Sequence, residues 1–173
     1  MKIGLIYGSD SGTTKDVSIL IHKKLSKYDV TILEVWKVNE EIILSFDFLI
    51  FGLSTWYIGE LQSDWDAYFE DFSKIDFSNK VIGLFGLGDQ YGYEHNFIDG
   101  VGILANIIIK NNGKIIGCWS TEGYAFEASK ALLNENIFLG LALDEDNQPE
   151  LTNQRIDQWI ELITNNKEFK ALC

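Results

Sequence analysis

Proline occurs once in the 173 residues, as Pro149, and cysteine twice, as Cys118 and Cys173. One proline against 15 glycines excludes collagen-like, Pro-rich and linker-dominated architectures. Two cysteines with no CxxC and no Cys/His spacing suit neither a zinc or iron–sulfur site nor a secreted disulfide scaffold. Basic residues are also scarce: 14 Lys and Arg stand against 26 Asp and Glu, a formal net charge of −12. Nucleic-acid binders and proteins that dock on anionic membranes need a basic face, so this balance argues against both. Long apolar runs are missing too. The longest, around Val101–Ile109, is interrupted by Asn106 and falls far short of the ~20 residues that span a bilayer. The apolar start, Met1 to Tyr7, is too short for a signal peptide and has no cleavage-like site. The expectation is a reduced, cytoplasmic protein whose partners carry basic patches.

What is present is globular. Apolar residues make up 46% and charged residues 23%, which excludes wholesale disorder. At ~150 residues per domain the length predicts one domain over residues 1–173. A domain of this size buries roughly 70% of its unfolded surface, enough for a core without staples.

Short apolar runs alternate with helical stripes. Ile3–Tyr7, Val30–Val35, Phe48–Leu53 and Val81–Phe85 read as strands, and Phe48–Leu53 is apolar enough to be buried on both faces. Lys114–Trp119 and Phe138–Leu143 are further strand candidates. Val17, Leu20, Ile21 and Leu25 mark one helix, and Trp65, Phe69 and Phe72 another, with Ser63 as its N-cap. Phe97, Val101, Leu104 and Ile108 form a third stripe that ends at Asn111-Asn112-Gly113, a C-cap signal. Ile156, Trp159, Ile160 and Ile163 form the last, with Thr152 as its cap. Strands alternating with helices predict an α/β fold, a doubly wound parallel sheet of five strands with five helices. In such sheets ligands sit beyond the strand C-termini where the strand order reverses.

Three loops fall there. Gly8-Ser9-Asp10-Ser11-Gly12-Thr13-Thr14 follows a strand and opens a helix. It offers backbone N–H groups, the positive end of a helix dipole and four hydroxyls in six residues, which suits a phosphate. Neither G-x-x-x-x-G-K-[ST] nor G-x-G-x-x-G is matched, so the expected ligand is a monophosphate held by neutral donors rather than a nucleoside triphosphate with magnesium. Ser54-Thr55-Trp56-Tyr57-Ile58-Gly59-Glu60 puts two adjacent aromatics in the second loop. The third, from Gly86 through Leu87, Gly88 and Asp89 to Tyr93, brings three glycines and two tyrosines. Tyr57 and Tyr91 read as rim or core packing. Trp56 and Tyr93 together, beside a phosphate loop, read as the two faces of a sandwich for a flat ring.

These segments resemble the flavodoxins, in their long-chain form, over essentially the whole chain. The first loop looks like their FMN phosphate loop. Residues 55–60 look like the loop on one flavin face, and Gly88-Asp89-Gln90 through Tyr93 like the loop whose tyrosine stacks on the other. Phe126 to Lys130, Gly140 to Asp146, and Gln148 also fit the long-chain pattern. Ser54 departs from it, since many members carry proline there.

The resemblance implies strand order 2-1-3-4-5, with an insertion over 120–137 that splits the fifth strand into Lys114–Trp119 and Phe138–Leu143. It implies one non-covalent FMN and one-electron transfer between redox proteins, a flavoprotein reductase being the expected donor. Ser9, Ser11, Thr13 and Thr14, with Asp10 and Gly12 in the same loop, would hold the phosphate. Trp56 and Tyr93 would stack on the ring, with Ser54, Thr55, Tyr57, Ile58, Gly59, Leu87 and Gly88 around it. Asp89 would face the pyrimidine end, Asn96 would touch the ring surroundings, and Asp146 would reach the ribityl chain. The Tyr57–Ile58 peptide would turn over with the redox state of the ring, with Gly59 leaving it room.

Carboxylates also bear on the potential. A charge ~10 Å from an anionic reduced ring disfavours it by ~1.7 kcal/mol, or ~70 mV, at an effective dielectric of ~20 before screening. Glu60, Asp64, Asp89, Glu94 and Asp99 are placed to do this. His22 and His95 read as surface residues, Cys118 as a buried strand residue and Cys173 as an exposed tail thiol. The chain is expected to be a monomer without a substrate of its own. The competing functional reading is an FMN-dependent quinone or NAD(P)H oxidoreductase on the same fold. A receiver domain is disfavoured, because it needs an aspartate where the third strand ends Phe51-Gly52-Leu53-Ser54. A binding protein without redox work would be colourless.

Overall fold

A computed structural model describes all residues from Met1 to Cys173. The main sheet contains the parallel strands β1 (Lys2–Tyr7), β2 (Asp29–Glu34), β3 (Phe48–Trp56) and β5 (Val81–Leu87). The order across the sheet is β2-β1-β3-β5, and a fifth position follows β5. Two three-residue strands share that position. β6 (Lys114–Ile116) pairs with Val81–Gly83, and β10 (Leu141–Leu143) pairs with Phe85–Leu87. This is the 2-1-3-4-5 order with a split fifth strand.

The halves are shorter than the apolar runs that announced them. Gly117, at φ +77, turns the chain out of the sheet after Ile116. Trp119 then belongs to β7 (Trp119–Ser120), which joins β8 (Leu132–Asn134) and β9 (Ile137–Phe138) in a separate antiparallel sheet. Cys118 accordingly lies between strands and is half-buried, not a buried strand residue.

Alternation along β3 explains why the sheet is covered on both sides. Leu49, Phe51 and Leu53 face a core shared with Trp65, Phe72, Val101, Leu104 and Ile108. Phe48 and Ile50 face the opposite core, with Val17, Ile21, Ile156, Trp159 and Ile163. Helices α3 (Ser63–Phe72) and α4 (Asp99–Lys110) therefore lie on one face. Helices α1 (Thr13–Lys24), α5 (Thr152–Asn165) and α6 (Lys167–Lys170) lie on the other. The short α2 (Glu40–Leu44), capped by Asn39 accepting from the Ile42 N–H at 2.9 Å, completes the connection between β2 and β3.

Several boundaries differ from the sequence reading. Val35 leaves the second strand for a 3-10 turn over Val35–Lys37. The third strand runs on to Trp56 because β4 (Glu60–Leu61) folds back onto Thr55 and Trp56. Gln62, not Ser63, caps α3: its side-chain oxygen accepts from the Trp65 N–H at 3.3 Å. Thr152 does not cap α5; it is the first helical residue and its hydroxyl donates to Glu145. Phe97 is buried among Tyr124, Phe126 and Phe138 but precedes α4, because Ile98 adopts a left-handed backbone conformation.

Candidate functional site

A cleft of about 600 Å³ opens where the first, second and third loops leave β1, β3 and β5. That is within the size range of small-molecule sites. Its wall brings together Ser11, Thr13 and Thr14 from the first loop, Ser54, Thr55, Trp56 and Tyr57 from the second, and Leu87, Gly88, Asp89 and Tyr93 from the third. Glu145 and Asp146, just beyond β10, close it. Ser9, Asp10, Gly12, Ile58, Gly59 and Asn96 are not on this wall. Glu145 is on it although sequence reasoning assigned it no role.

The first loop is built to leave donors free. Gly12, at φ +96, is the N-cap of α1 and supplies no capping side chain. The Ser9 hydroxyl accepts from the Gly12 N–H at 3.1 Å, which shapes the turn from behind. The Thr13 and Thr14 N–H groups then meet no acceptor within the protein. Ser11 and Thr13 place their hydroxyls 3.2 Å apart on the same side. Free amides at a helix start attract an anion. No lysine or arginine lines the cleft, so such an anion is met by neutral donors alone.

Asp10 points away from the cleft. It accepts from Gln62 Nε2 at 2.9 Å and from the Ser63 hydroxyl, tying the first loop to the start of α3. Burial acts to raise its pKa, but these bonds outweigh burial and hold the carboxyl below its ordinary value. Gln62 is fully buried and also donates to Asp64. Its role as a hub left no mark in the sequence, since an isolated glutamine carries no pattern.

The second loop turns through Tyr57 at φ +46 and Gly59 at φ +93. Behind it lies Asp99, buried to 1% exposure, which accepts from the Lys130 N–H at 2.7 Å and from Asn96 Nδ2 at 3.0 Å. Asn96 therefore serves the loop through Asp99. Thr55 accepts from the Gly100 N–H at 3.0 Å and fixes the same corner to α4. Trp56 is half-buried, and its indole Nε1 is closed to solvent with no acceptor in the protein.

The third loop is held by carboxylates. Asp89 accepts from the Gly92 N–H at 2.7 Å, from the Tyr91 N–H at 3.0 Å and from Asn147 Nδ2 at 2.9 Å. The Gly92 N–H does most to pull its pKa below the ordinary value. Asp144 is fully buried and accepts from Gln90 Nε2 at 2.7 Å and from the Asn147 side chain at 2.9 Å. Gln90 in turn accepts from the Ala125 N–H at 2.7 Å, which links the loop to the insertion. Asp146 is pushed up by burial and by the neighbouring Asp89 and Asp144 charges. Tyr93 remains 46% exposed and Tyr57 64%. Both histidines avoid the core; the His95 side chain is 71% exposed.

A flat, phosphorylated ligand fits these walls: unmet amides and hydroxyls at one end, and aromatics from two loops along the sides. Comparison with known proteins agrees. The sequence profile of the flavodoxin family, described as "Flavodoxin", matches residues 5–159. A flavodoxin of Haemophilus influenzae is 46% identical over 161 residues, 93% of this chain and 92% of its own length. One of Buchnera aphidicola subsp. Baizongia pistaciae is 50% identical over 162 residues, 93% of each chain. The crystal structure of Fusobacterium nucleatum flavodoxin bound to flavin mononucleotide superposes with a TM-score of 0.87 at 37% identity, covering 92% of this chain and 95% of that one. Sheet order, cleft and sequence thus converge, and the chain belongs to the flavodoxin family.

Proposed function

We propose that this chain binds one FMN non-covalently in the cleft and carries single electrons between redox proteins, without a substrate of its own. The observation that carries the reading is the cleft's donor set. Two free amides and the Ser11, Thr13 and Thr14 hydroxyls meet a phosphate at one end, and Trp56 and Tyr93 flank the ring position from separate loops. The isoalloxazine supplies the redox chemistry when bound, and the protein supplies binding, orientation and electrostatics.

Trp56 would offer its ring face to the cofactor, and Ser54, Thr55, Leu87 and Gly88 shape the floor. Asp89 acts through the loop it braces, while Asp146 lies at the mouth for the ribityl hydroxyls. Ser9, Asp10, Gly12, Gly59 and Asn96 support the binding loops from behind, while Ile58, 77% exposed, stands at the tip of the second loop beside the cleft. Aromatics on two sides leave little room for a second substrate above the ring, which favours a carrier over a quinone or NAD(P)H oxidoreductase.

The partners are redox proteins with basic docking surfaces, a flavoprotein reductase being the expected donor. Supporting this, a groove of about 830 Å³ beside the cleft shares Trp56 and Tyr57 with it and carries Asp10, Glu60 and Asp66. Opposite charge speeds encounter without demanding tight binding. We further propose a cytoplasmic monomer folded as one domain. Both cysteines are unpaired, and Ile3 near the start shares a core with Ile163 near the end. No helix is long and apolar enough to cross a membrane.

The test is a visible spectrum of the purified protein during stepwise reduction. A yellow protein that passes through a long-wavelength band before turning pale supports single-electron carriage. Bleaching in one step favours the oxidoreductase. A colourless protein that takes up no added FMN defeats the reading.

A further inference from the structure

A second cavity, of about 490 Å³, lies between the start of the insertion and α5 and shares no residue with the cleft. Trp119, Leu151 and Leu162 give it apolar walls, and Arg155 forms part of it. Arg155 is only 7% exposed. A guanidinium is always charged, and a buried charge is ordinarily paired. Although the chain holds 26 carboxylates, none forms an ion pair with Arg155. Nη2 donates to the neutral Gln148 Oε1 at 2.7 Å, and the guanidinium carbon lies 4.2 Å from the centre of the Tyr124 ring. Nη1 has no acceptor. The tyrosine offers no counter-charge, because its hydroxyl already donates to the Ala142 carbonyl at 2.6 Å.

The site therefore holds a buried cation whose Nη1 is unpaired, beside an apolar wall. That is the complement of a carboxylate on a hydrophobic body. Glu122 on the cavity wall opposes additional negative charge and selects a monoanion over a polyanion. Nη1 is itself closed to solvent, so an acceptor reaches it only as rim side chains swing. Gln154 and Gln158, one helical turn apart on the same cavity wall and both exposed, are free to move. We propose that this cavity binds a small monocarboxylate with an aromatic or branched aliphatic body. The carboxylate engages Arg155 Nη1 and the body packs on Trp119, Leu151 and Leu162. The site stands apart from the FMN reading, since no residue of the cleft takes part.

Benzoate titrated into isotope-labelled protein as purified, with benzyl alcohol as the neutral control, tests this by amide chemical shifts. Saturable shifts confined to residues 118–123 and 151–162 are expected. Benzyl alcohol should bind roughly tenfold or more weakly, the loss of a charge-assisted hydrogen bond. Arg155→Lys, which keeps charge but not the fork, should weaken benzoate similarly. Leu162→Glu, at a half-exposed rim position, should abolish binding without changing the melting temperature, so the test survives if Arg155→Lys does not fold. Shifts that do not saturate or that scatter elsewhere, equal binding of the alcohol, or benzoate binding unaffected by Leu162→Glu would each overturn the proposal.

Discussion

Gly59 to alanine isolates the role of the second loop. Gly59 sits at φ +93, where a side chain costs about 1–2 kcal/mol. A Cβ there would lie 2.6 Å from Asp99 Oδ2 and 3.0 Å from Asn96 Nδ2. Asp99 cannot retreat freely, because its other oxygen holds the Lys130 N–H at 2.7 Å. Losing a hydrogen bond to a buried charge adds about 1.5–3 kcal/mol. The sum is about 2.5–5 kcal/mol, read by urea unfolding of the apoprotein. Because Trp56 and Tyr57 line the cleft from this turn, FMN affinity in a fluorescence titration should fall at least about tenfold, the equivalent of about 1.4 kcal/mol. Gly12→Ala is the control. Its φ is +96 but its Cβ would meet nothing within 4 Å, so in the apoprotein it should cost only the backbone part, about 1–2 kcal/mol. If Gly59→Ala costs no more than Gly12→Ala and leaves FMN binding unchanged, the contact with Asp99 has no consequence and the reasoning fails.

Gln62→Leu strips the N-cap of α3 and leaves Asp10 without its amide partner; urea unfolding should show a loss of about 2–3 kcal/mol, with weaker FMN binding. Trp56→Phe removes a buried donor that has no acceptor in the protein. The stability of the apoprotein in urea unfolding should change by no more than ~1 kcal/mol while FMN affinity falls with the smaller ring face, and equal losses in both would refute the assignment of Trp56 to the cofactor. Asp89, held below the ordinary value of 3.8, adds stability that is complete above that value and lost as pH falls through the lower folded one; Asp89→Asn should flatten this acid limb in a pH series of melting temperatures. Asp146 has the opposite sign. Its folded pKa is raised, so its ionised form costs stability above that pKa and nothing once pH is below 3.8; Asp146→Asn should raise the melting temperature at neutral pH and leave it unchanged near ~pH 3.

The elements most legible in the sequence were those whose pattern matches one periodicity. Phe48–Leu53 announced a strand buried on both faces, and Ile156, Trp159 and Ile163 announced a helix, because an unbroken apolar run and a spacing of three and four residues are both local signals. Boundaries failed where a long-range contact or a backbone conformation decides them. β3 extends through Trp56 only because Glu60 and Leu61 fold back onto it, and α4 starts late only because Ile98 turns left-handed. The cap of α3 went to Gln62, whose part-buried bonds to Asp10 and Asp64 favour it over the more usual Ser63. The loops that line the cleft were readable from small, hydroxyl and aromatic residues beside strand ends. The groups that brace them, Gln62, Asp99 and Asp144, were not, because a buried polar hub is defined by partners as much as 54 residues away.

The divided fifth strand has a consequence for the behaviour of the protein at high concentration. An open parallel sheet ends in two rows of unpaired backbone groups, each a template for another chain. On the β6–β10 side that template is never long: three residues, a break across Gly117 to Gly140 filled by the small antiparallel sheet, then three residues more. A foreign strand adding there could pair with only one short segment before meeting the insertion. The other edge, β2, is a full six residues and carries Asp29 and Glu34 at its ends, the latter paired with Lys37. The insertion thereby works as a guard against edge-to-edge aggregation, and a loop-deleted variant with a continuous fifth strand would trade that protection for a longer, stickier margin.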